Sequence, residues 1–187
     1  MIKPPLVSVI CPTTPARDSF RPAFLRYYGG QDYRNKELIL IDGPGTIGAK
    51  RNFGCARARG CIIVHMDDDD FYASDWISRS VDFLLMHPNA EITGLSDLFF
   101  KKGEEIWKYT YSYPPHAWVG GATMCYRKSV WERFKFPDKM IGEDCDFQWK
   151  SKARIFPHDY IDGFKATIHD GNTYKNNMQL KEWTKIR

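Results

Sequence analysis

The chain is 187 residues long, 43% hydrophobic and 27% charged, with a formal net charge of +4. That balance excludes a disordered chain, and the length is enough to bury a sizeable core in one folded unit. The charge suits an anionic ligand such as a diphosphate, and it is too small and too evenly spread to argue for nucleic acid.

In chain order, residues 6–11 (LVSVIC) form a short apolar run rich in β-branched residues, which predicts a buried parallel strand. Pro12 ends it, and Thr13 to Ser19 reads as a polar loop. Residues 20–28 predict a helix with Pro22 in its first turn. Residues 37–41 (ELILI) predict a second strand closed by Asp42 and Gly43, and Gly43-Pro44-Gly45 is a turn. Residues 47–59 predict a helix carrying Lys50, Arg51, Arg57 and Arg59. Residues 61–66 (CIIVHM) predict a third buried strand, which runs straight into Asp67, Asp68, Asp69 and Asp70. Residues 76–86 have helical spacing, with Ile77, Val81, Leu84 and Leu85 apolar.

The second half reads as mixed. One or two strands are expected in residues 90–100, a turn at 101–105, an antiparallel strand at 106–111 and a loop at 114–121. A strand at 122–126, short helices at 128–134 and 143–152, and strands at 155–161 and 163–169 follow. Residues 178–186 are expected to form a closing helix.

The five cysteines are scattered and no pair has zinc-knuckle or thioredoxin spacing, which points to free thiols in a reducing compartment. The N-terminal segment does not resemble a signal peptide, and no stretch has the length of a membrane span. These readings favour a cytoplasmic protein, including one held peripherally at the inner face of a membrane.

Four carboxylates in a row repel one another. At the carboxyl end of a parallel strand, where α/β sheets gather ligands, a divalent cation relieves that repulsion. Mg²⁺ and Mn²⁺ prefer oxygen donors and share them with substrate phosphates. If the strand continued, Asp67 and Asp69 would face one way and Asp68 and Asp70 the other. A solvated acidic turn is the bland alternative.

From residue 6 to about residue 150 the sequence resembles the inverting family 2 glycosyltransferases. Val7-Ser8-Val9-Ile10-Cys11-Pro12-Thr13 is similar to the family's first strand and donor loop, which implicates Pro12 and Thr13. Leu40-Ile41-Asp42-Gly43 matches the end of its second strand and implies a nucleotide-base contact for Asp42, although the family's usual acidic pair is a single Asp here. Gly48-Ala49-Lys50-Arg51-Asn52-Phe53-Gly54 resembles the segment beside the nucleotide. His65-Met66-Asp67-Asp68-Asp69-Asp70 resembles the DXD motif. It implies Asp69 as a direct metal ligand and Asp67 at the donor's ribose or sugar or at the metal, with Asp68 admitted by a one-residue shift. Gly142-Glu143-Asp144-Cys145-Asp146 resembles the late Glu-Asp motif, whose Asp is the catalytic base, here Asp144.

The resemblance implies an α/β, Rossmann-like GT-A fold of the nucleotide-diphospho-sugar transferase type, one mixed central sheet flanked by helices. It implies a single domain over residues 1–187, with about residues 1–100 holding the nucleotide-sugar and about 101–187 holding the acceptor and the base. The implied reaction is metal-dependent transfer of a sugar, from UDP by family frequency, to an acceptor hydroxyl with inversion, in polysaccharide biosynthesis. Manganese or magnesium is the implied cofactor. The acceptor is a glycan, a lipid-linked glycan or a small molecule, and a homo-oligomer is one way for so short a member to complete its site.

The remaining candidates rest on chemistry and, for a late His at the cation or diphosphate and for the acceptor region, on the same resemblance. Glu143 either orients Asp144, touches the acceptor or favours the helix dipole. Lys50 and Arg51 reach the diphosphate or the base, or form a solvated basic face. Asn52 is a hydrogen-bonding candidate for the nucleotide loop. His169 is a late imidazole suited to Mn²⁺, while His65 is expected to be packed. The resemblance places near the acceptor His116 and Trp118, which either stacks on a sugar or fills a core gap, and Gly120 and Gly121, which permit close backbone approach. A non-catalytic binding protein on the same fold and a sugar-phosphate nucleotidyltransferase are the rivals. The first would have lost the carboxylates and the second would carry a glycine-rich loop after the first strand.

Overall fold

The structure, a computed structural model, describes residues 3–112, 116–173 and 178–187. Three parallel strands open the chain: β1 (Val7–Pro12), β2 (Lys36–Ile41) and β3 (Ile62–His65). Between them run α1 (Arg21–Gly29) and α2 (Ile47–Arg57). β4 (Phe71–Tyr72) and α3 (Trp76–Met86) follow the acidic run.

The alternation of a strand decides which helix covers which face. Val7, Val9 and Cys11 of β1 pack with Phe24 of α1 and with Trp76, Ile77, Val81 and Leu84 of α3. Ile10, one residue out of phase, packs on the other face with Cys55 of α2 and with Tyr126, Phe136 and Phe147. Both faces are therefore buried, which is why β1 and β3 read as continuous apolar runs.

The second half adds β5 (Ile92–Gly94), β6 (Asp97–Lys102), β7 (Glu105–Thr110), β8 (Cys125–Arg127) and α4 (Lys128–Arg133). α5 (Glu143–Lys150), β9 (Ile155–Pro157), β10 (Phe164–Thr167) and β11 (Trp183–Lys185) complete the described residues.

The expectation of a GT-A fold built on one mixed central sheet is corrected here. Among the described residues the strands divide into two sheets, β2-β1-β3-β8-β5-β9 and β11-β7-β6-β10-β4. The division falls at Gly94. A Cβ there would lie 2.8 Å from Thr123 Oγ1 and 2.9 Å from the Thr123 carbonyl oxygen, so only glycine lets β5 run so close to the 119–123 segment. The chain then leaves the first sheet and forms the β6–β7 hairpin, whose open edges take up β10 and β11.

The closing helix expected over residues 178–186 is also corrected. Residues 183–185 pair antiparallel with β7, Trp183 opposite Tyr109. Trp183 packs on Phe100 and Tyr109 at ring distances of 4.7 and 5.2 Å. An unpaired hairpin edge and an aromatic seat outweigh the helix propensity of a short segment. Smaller differences are a helical turn at 121–123, which leaves only Cys125 onward of the strand expected at 122–126, and a helical turn at 161–163 between the segments expected at 155–161 and 163–169. Part of the loop expected at 114–121 lies outside the described residues. No helix among the described residues is long and apolar enough to cross a membrane.

Candidate functional site

The carboxyl ends of β1 and β3, the start of α2, the start of α5 and the second sheet surround one cavity of about 610 Å³. It is lined by Pro12, Thr13, Arg17, Lys50, Arg51, Asp67 to Asp70 and Asp144 on its polar side. Tyr109, Tyr111, Trp118, Trp149 and Trp183 are among the residues on its aromatic side.

The acidic turn is held from both ends. The Asp67 amide donates to Tyr72 Oη at 2.8 Å, and that hydroxyl donates to the Ala122 carbonyl at 3.0 Å. Asp70 Oδ1 accepts the Thr167 amide of β10 at 2.8 Å. Asp68 and Asp70 are buried, while Asp67 and Asp69 are half-buried. Burial pushes the Asp67 carboxyl up to about 7, against the pull of Arg51 and with the push of Asp69 and Asp68. Burial pushes Asp70 well above the carboxylate range too, helped by Asp69 and Asp67.

Asp68 accepts from the Thr13 hydroxyl and from Arg17. Asp69 Oδ2 faces His169 Nε2 at 2.9 Å, Asn172 Nδ2 at 3.2 Å and Arg17 Nη2 at 2.5 Å. His169 is set by Phe20, whose ring lies 4.8 Å from the imidazole, and by Gly171, whose amide donates to Nδ1 at 3.0 Å. Residues 69 and 169 thus meet across a hundred positions of sequence.

α2 starts at Thr46, whose hydroxyl oxygen accepts the Ala49 amide. This cap aims its first turns inward. Lys50 Nζ donates to the Thr13 carbonyl at 2.6 Å, and burial lowers its pKa. Arg51 Nη1 donates to Glu143 Oε1 at 2.6 Å, with both side chains almost fully buried. Burial raises the Glu143 carboxyl, against the attraction of Arg51.

α5 begins after Gly142, whose φ of 75° is the left-handed turn that glycine favours. Glu143, Asp144 and Asp146 fill its first turn, where the helix dipole favours negative charge. Asp144 lies against Gly121: a Cβ on Gly121 would come 2.6 Å from Asp144 Oδ2. Gln148 of the same helix clasps the Val119 amide and carbonyl at 2.8 and 2.9 Å, fixing the 117–121 segment over the site. Trp118 stacks on Tyr111 at 5.2 Å. A Cβ on Gly120 would come 2.9 Å from Leu98 Cδ1.

Three of the expected residues sit elsewhere. Asn52 spends its amide on the Phe136 carbonyl and its oxygen on the Trp131 indole and the Phe136 amide, so it braces the 131–136 segment. The exposed Asp42 carboxylate lies 3.7 Å from Arg21. His116 is exposed, its ring 5.7 Å from Trp149. None of the three lines the cavity, and His169 reaches it only through its contact with Asp69. His65 is buried, with Nδ1 at the Gly121 carbonyl and Nε2 at Tyr126 Oη. Sequence reasoning missed Arg17 and Asn172. The signal for Arg17 was its position as the one cation in the polar loop after the first strand.

Among the described residues no group of three or more His, Cys, Asp or Glu side chains is arranged to hold a metal ion. Asp69 and His169 do converge as a pair. A Mg²⁺ or Mn²⁺ site commonly takes one or two carboxylates, with waters and substrate phosphates supplying the rest. The donor set fits a cation completed by a diphosphate, not a closed protein cage.

A mixed sheet whose parallel strands β1 and β3 end at acidic and basic groups gathered in one cavity defines an α/β protein with a ligand site at those ends. The sequence model of glycosyl transferase family 2 matches residues 31–143, more than half of the chain. The chain belongs to that family.

An uncharacterized glycosyltransferase of Haemophilus influenzae is 29% identical, the match covering 44% of each chain. Among solved structures, S. aureus TarS residues 1–349 in complex with UDP-GlcNAc is 17% identical, with a TM-score of 0.67 over 90% of this chain and 60% of that one. A mannosyltransferase from Pyrobaculum calidifontis in complex with GDP-Man and Mn²⁺ is 16% identical, with a TM-score of 0.65 over 89% of this chain and 57% of that one. The chain spans under half of the curated relative and about three fifths of these two solved chains.

Proposed function

We propose that the chain transfers a sugar from a nucleotide-sugar to an acceptor hydroxyl in a single displacement that inverts the anomeric carbon. The observation that carries this is the opening of the acidic turn, Lys50 and Asp144 into one cavity. The solved relatives in complex with UDP-GlcNAc and with GDP-Man support a nucleotide-sugar as donor.

In this reading Pro12, Thr13 and Lys50 border the nucleotide and its diphosphate, and Asp67 and Asp68 face the donor. Asp69 and His169 would hold a divalent cation, with Asp67 close by. When bound, that cation neutralises charge on the departing diphosphate. Asp144 accepts the proton of the attacking hydroxyl. Asp144 lines the cavity beside Gly121. Glu143 is tied to Arg51 and holds α5 in position, so it serves Asp144 instead of touching the acceptor. Trp118, with Gly120 and Gly121, borders the acceptor. Residues 1–100 supply the donor half of one functional unit and residues 101–187 the acceptor half.

Calorimetric titration of UDP, GDP and dTDP, with and without Mn²⁺, tests the donor site. The wild-type chain is expected to bind one of them in a manganese-dependent way, and Asp69→Ala to lose that dependence. A folded protein that binds none of the three overturns the donor site.

A further inference from the structure

The loop after β1 brings Arg17 over the acidic turn. One guanidinium nitrogen, Nη2, lies 2.5 Å from Asp68 Oδ1 and 2.5 Å from Asp69 Oδ2. Nε gives Asp68 Oδ1 a second bond at 2.9 Å. The Asp69 oxygen that receives Nη2 is the same oxygen that faces His169 Nε2. A single nitrogen therefore stands between two carboxylate oxygens, one of which also faces the imidazole. A divalent cation held by Asp69 and His169 and shared with a diphosphate would need that same Asp69 oxygen.

Guanidinium and divalent cation carry the same sign, so the two cannot share those oxygens at contact range. The order of layers is also informative. The Arg17 side chain is 21% exposed, whereas those of Asp68 and Asp69 are 3% and 7% exposed. Arg17 thus lies between the carboxylates and solvent. Phe20 lies 5.3 Å from the guanidinium carbon and packs against it in this position.

We propose that Arg17 is the resident cation of the donor-free site, exchanged for the divalent cation when the nucleotide arrives and then free to bind the diphosphate. This rests on the donor site proposed above. With Arg17 in place, a cation alone meets two carboxylates whose charge is already half balanced and whose facing oxygens are occupied. The nucleotide supplies what the exchange needs: phosphate oxygens for a bidentate guanidinium contact, and the remaining ligands for the metal. Cation and nucleotide then bind with strong mutual dependence, and by linkage each strengthens the other equally.

The test measures Mn²⁺ binding by the loss of the free-ion electron paramagnetic resonance signal, alongside thermal unfolding, for wild type, Arg17→Gln and Arg17→Lys. Each is measured alone and with UDP, GDP or dTDP. Wild type is expected to bind Mn²⁺ weakly alone and about tenfold more tightly with the matching nucleotide. Arg17→Gln is expected to bind Mn²⁺ alone about tenfold more tightly than wild type, with coupling reduced to about threefold or less. Mn²⁺ alone should raise the melting temperature of Arg17→Gln and leave wild type unmoved. Should Arg17→Gln melt too low to assay, Arg17→Lys carries the test, because one ammonium bridges the two carboxylates less well and Mn²⁺ affinity rises. Unchanged or weaker Mn²⁺ binding by these variants, with wild type still binding Mn²⁺ and nucleotide together, overturns the exchange and leaves the donor site standing. No Mn²⁺ binding by any of the proteins with any nucleotide overturns both.

Discussion

Glu143→Gln is the sharpest test of how α5 is held. It preserves shape and removes one charge from a pair separated by 2.6 Å, with side chains 4% and 6% exposed. With charge centres near 4 Å and an effective dielectric of 20, the pair attraction is about 4 kcal/mol. Breaking a buried pair from one side costs roughly 3–5 kcal/mol, because the surviving charge stays desolvated. The amide oxygen of Gln still accepts from Arg51, which sets the expectation at the low end, about 3 kcal/mol. For a chain of this length that lowers the melting temperature by roughly 6–12 °C. Urea unfolding followed by tryptophan fluorescence measures it directly. The double variant Arg51→Met/Glu143→Leu is expected to recover most of the loss, since an apolar pair needs no desolvation. A loss below about 1 kcal/mol in Glu143→Gln would refute the idea that this ion pair anchors α5 to α2.

Gly121→Ala places a Cβ 2.6 Å from Asp144 Oδ2 and 3.1 Å from Asp144 Cβ, so the carboxylate shifts and the start of α5 gives slightly. Turnover, followed by release of the nucleoside diphosphate, should fall roughly 10–100-fold with a melting temperature within about 3 °C of wild type; unaltered turnover would remove Asp144 from the base role. The raised carboxyl of Asp67 binds a proton in the folded state that the unfolded chain releases near pH 4. Stability should therefore fall as pH rises from about 4 to about 7 and level off above, and Asp67→Asn should flatten that slope, with Asp70 contributing the remainder. Melting curves across this range decide it, and an unaltered slope in the variant assigns the effect elsewhere.

The elements that flank the acidic turn were legible because each has a local cause. Apolar β-branched runs mark β1 and β3, and residues 76–86 form the helix their spacing predicts. What the sequence concealed was pairing over distance. Nothing near Arg17 announces Asp68 and Asp69, which lie some fifty residues on, and nothing near Asn172 announces Asp69. The two-sheet division was hidden for the same reason: it depends on how closely Gly94 approaches Thr123, which is a property of the fold and not of the segment. Residues 178–186 have reasonable helix formers, yet the β7 edge and the Trp183 seat claim them. Asn52 shows the converse. Its motif neighbours face the cavity while its own side chain is consumed by Trp131 and Phe136.

The pairing of β4 with β10 sets a timetable for synthesis. Phe71 and Tyr72 leave the ribosome directly after the acidic run, but their partners Lys165 and Phe164 come more than ninety residues later. At roughly 5–20 residues per second, about 5–20 s separate the two strands. Throughout that interval Asp70 lacks the Thr167 amide and Asp69 lacks His169. The nascent chain can build the β1–β3 scaffold early, yet its four carboxylates stay unclasped until the late segment arrives. Translation thus delivers the framework first and the cavity last.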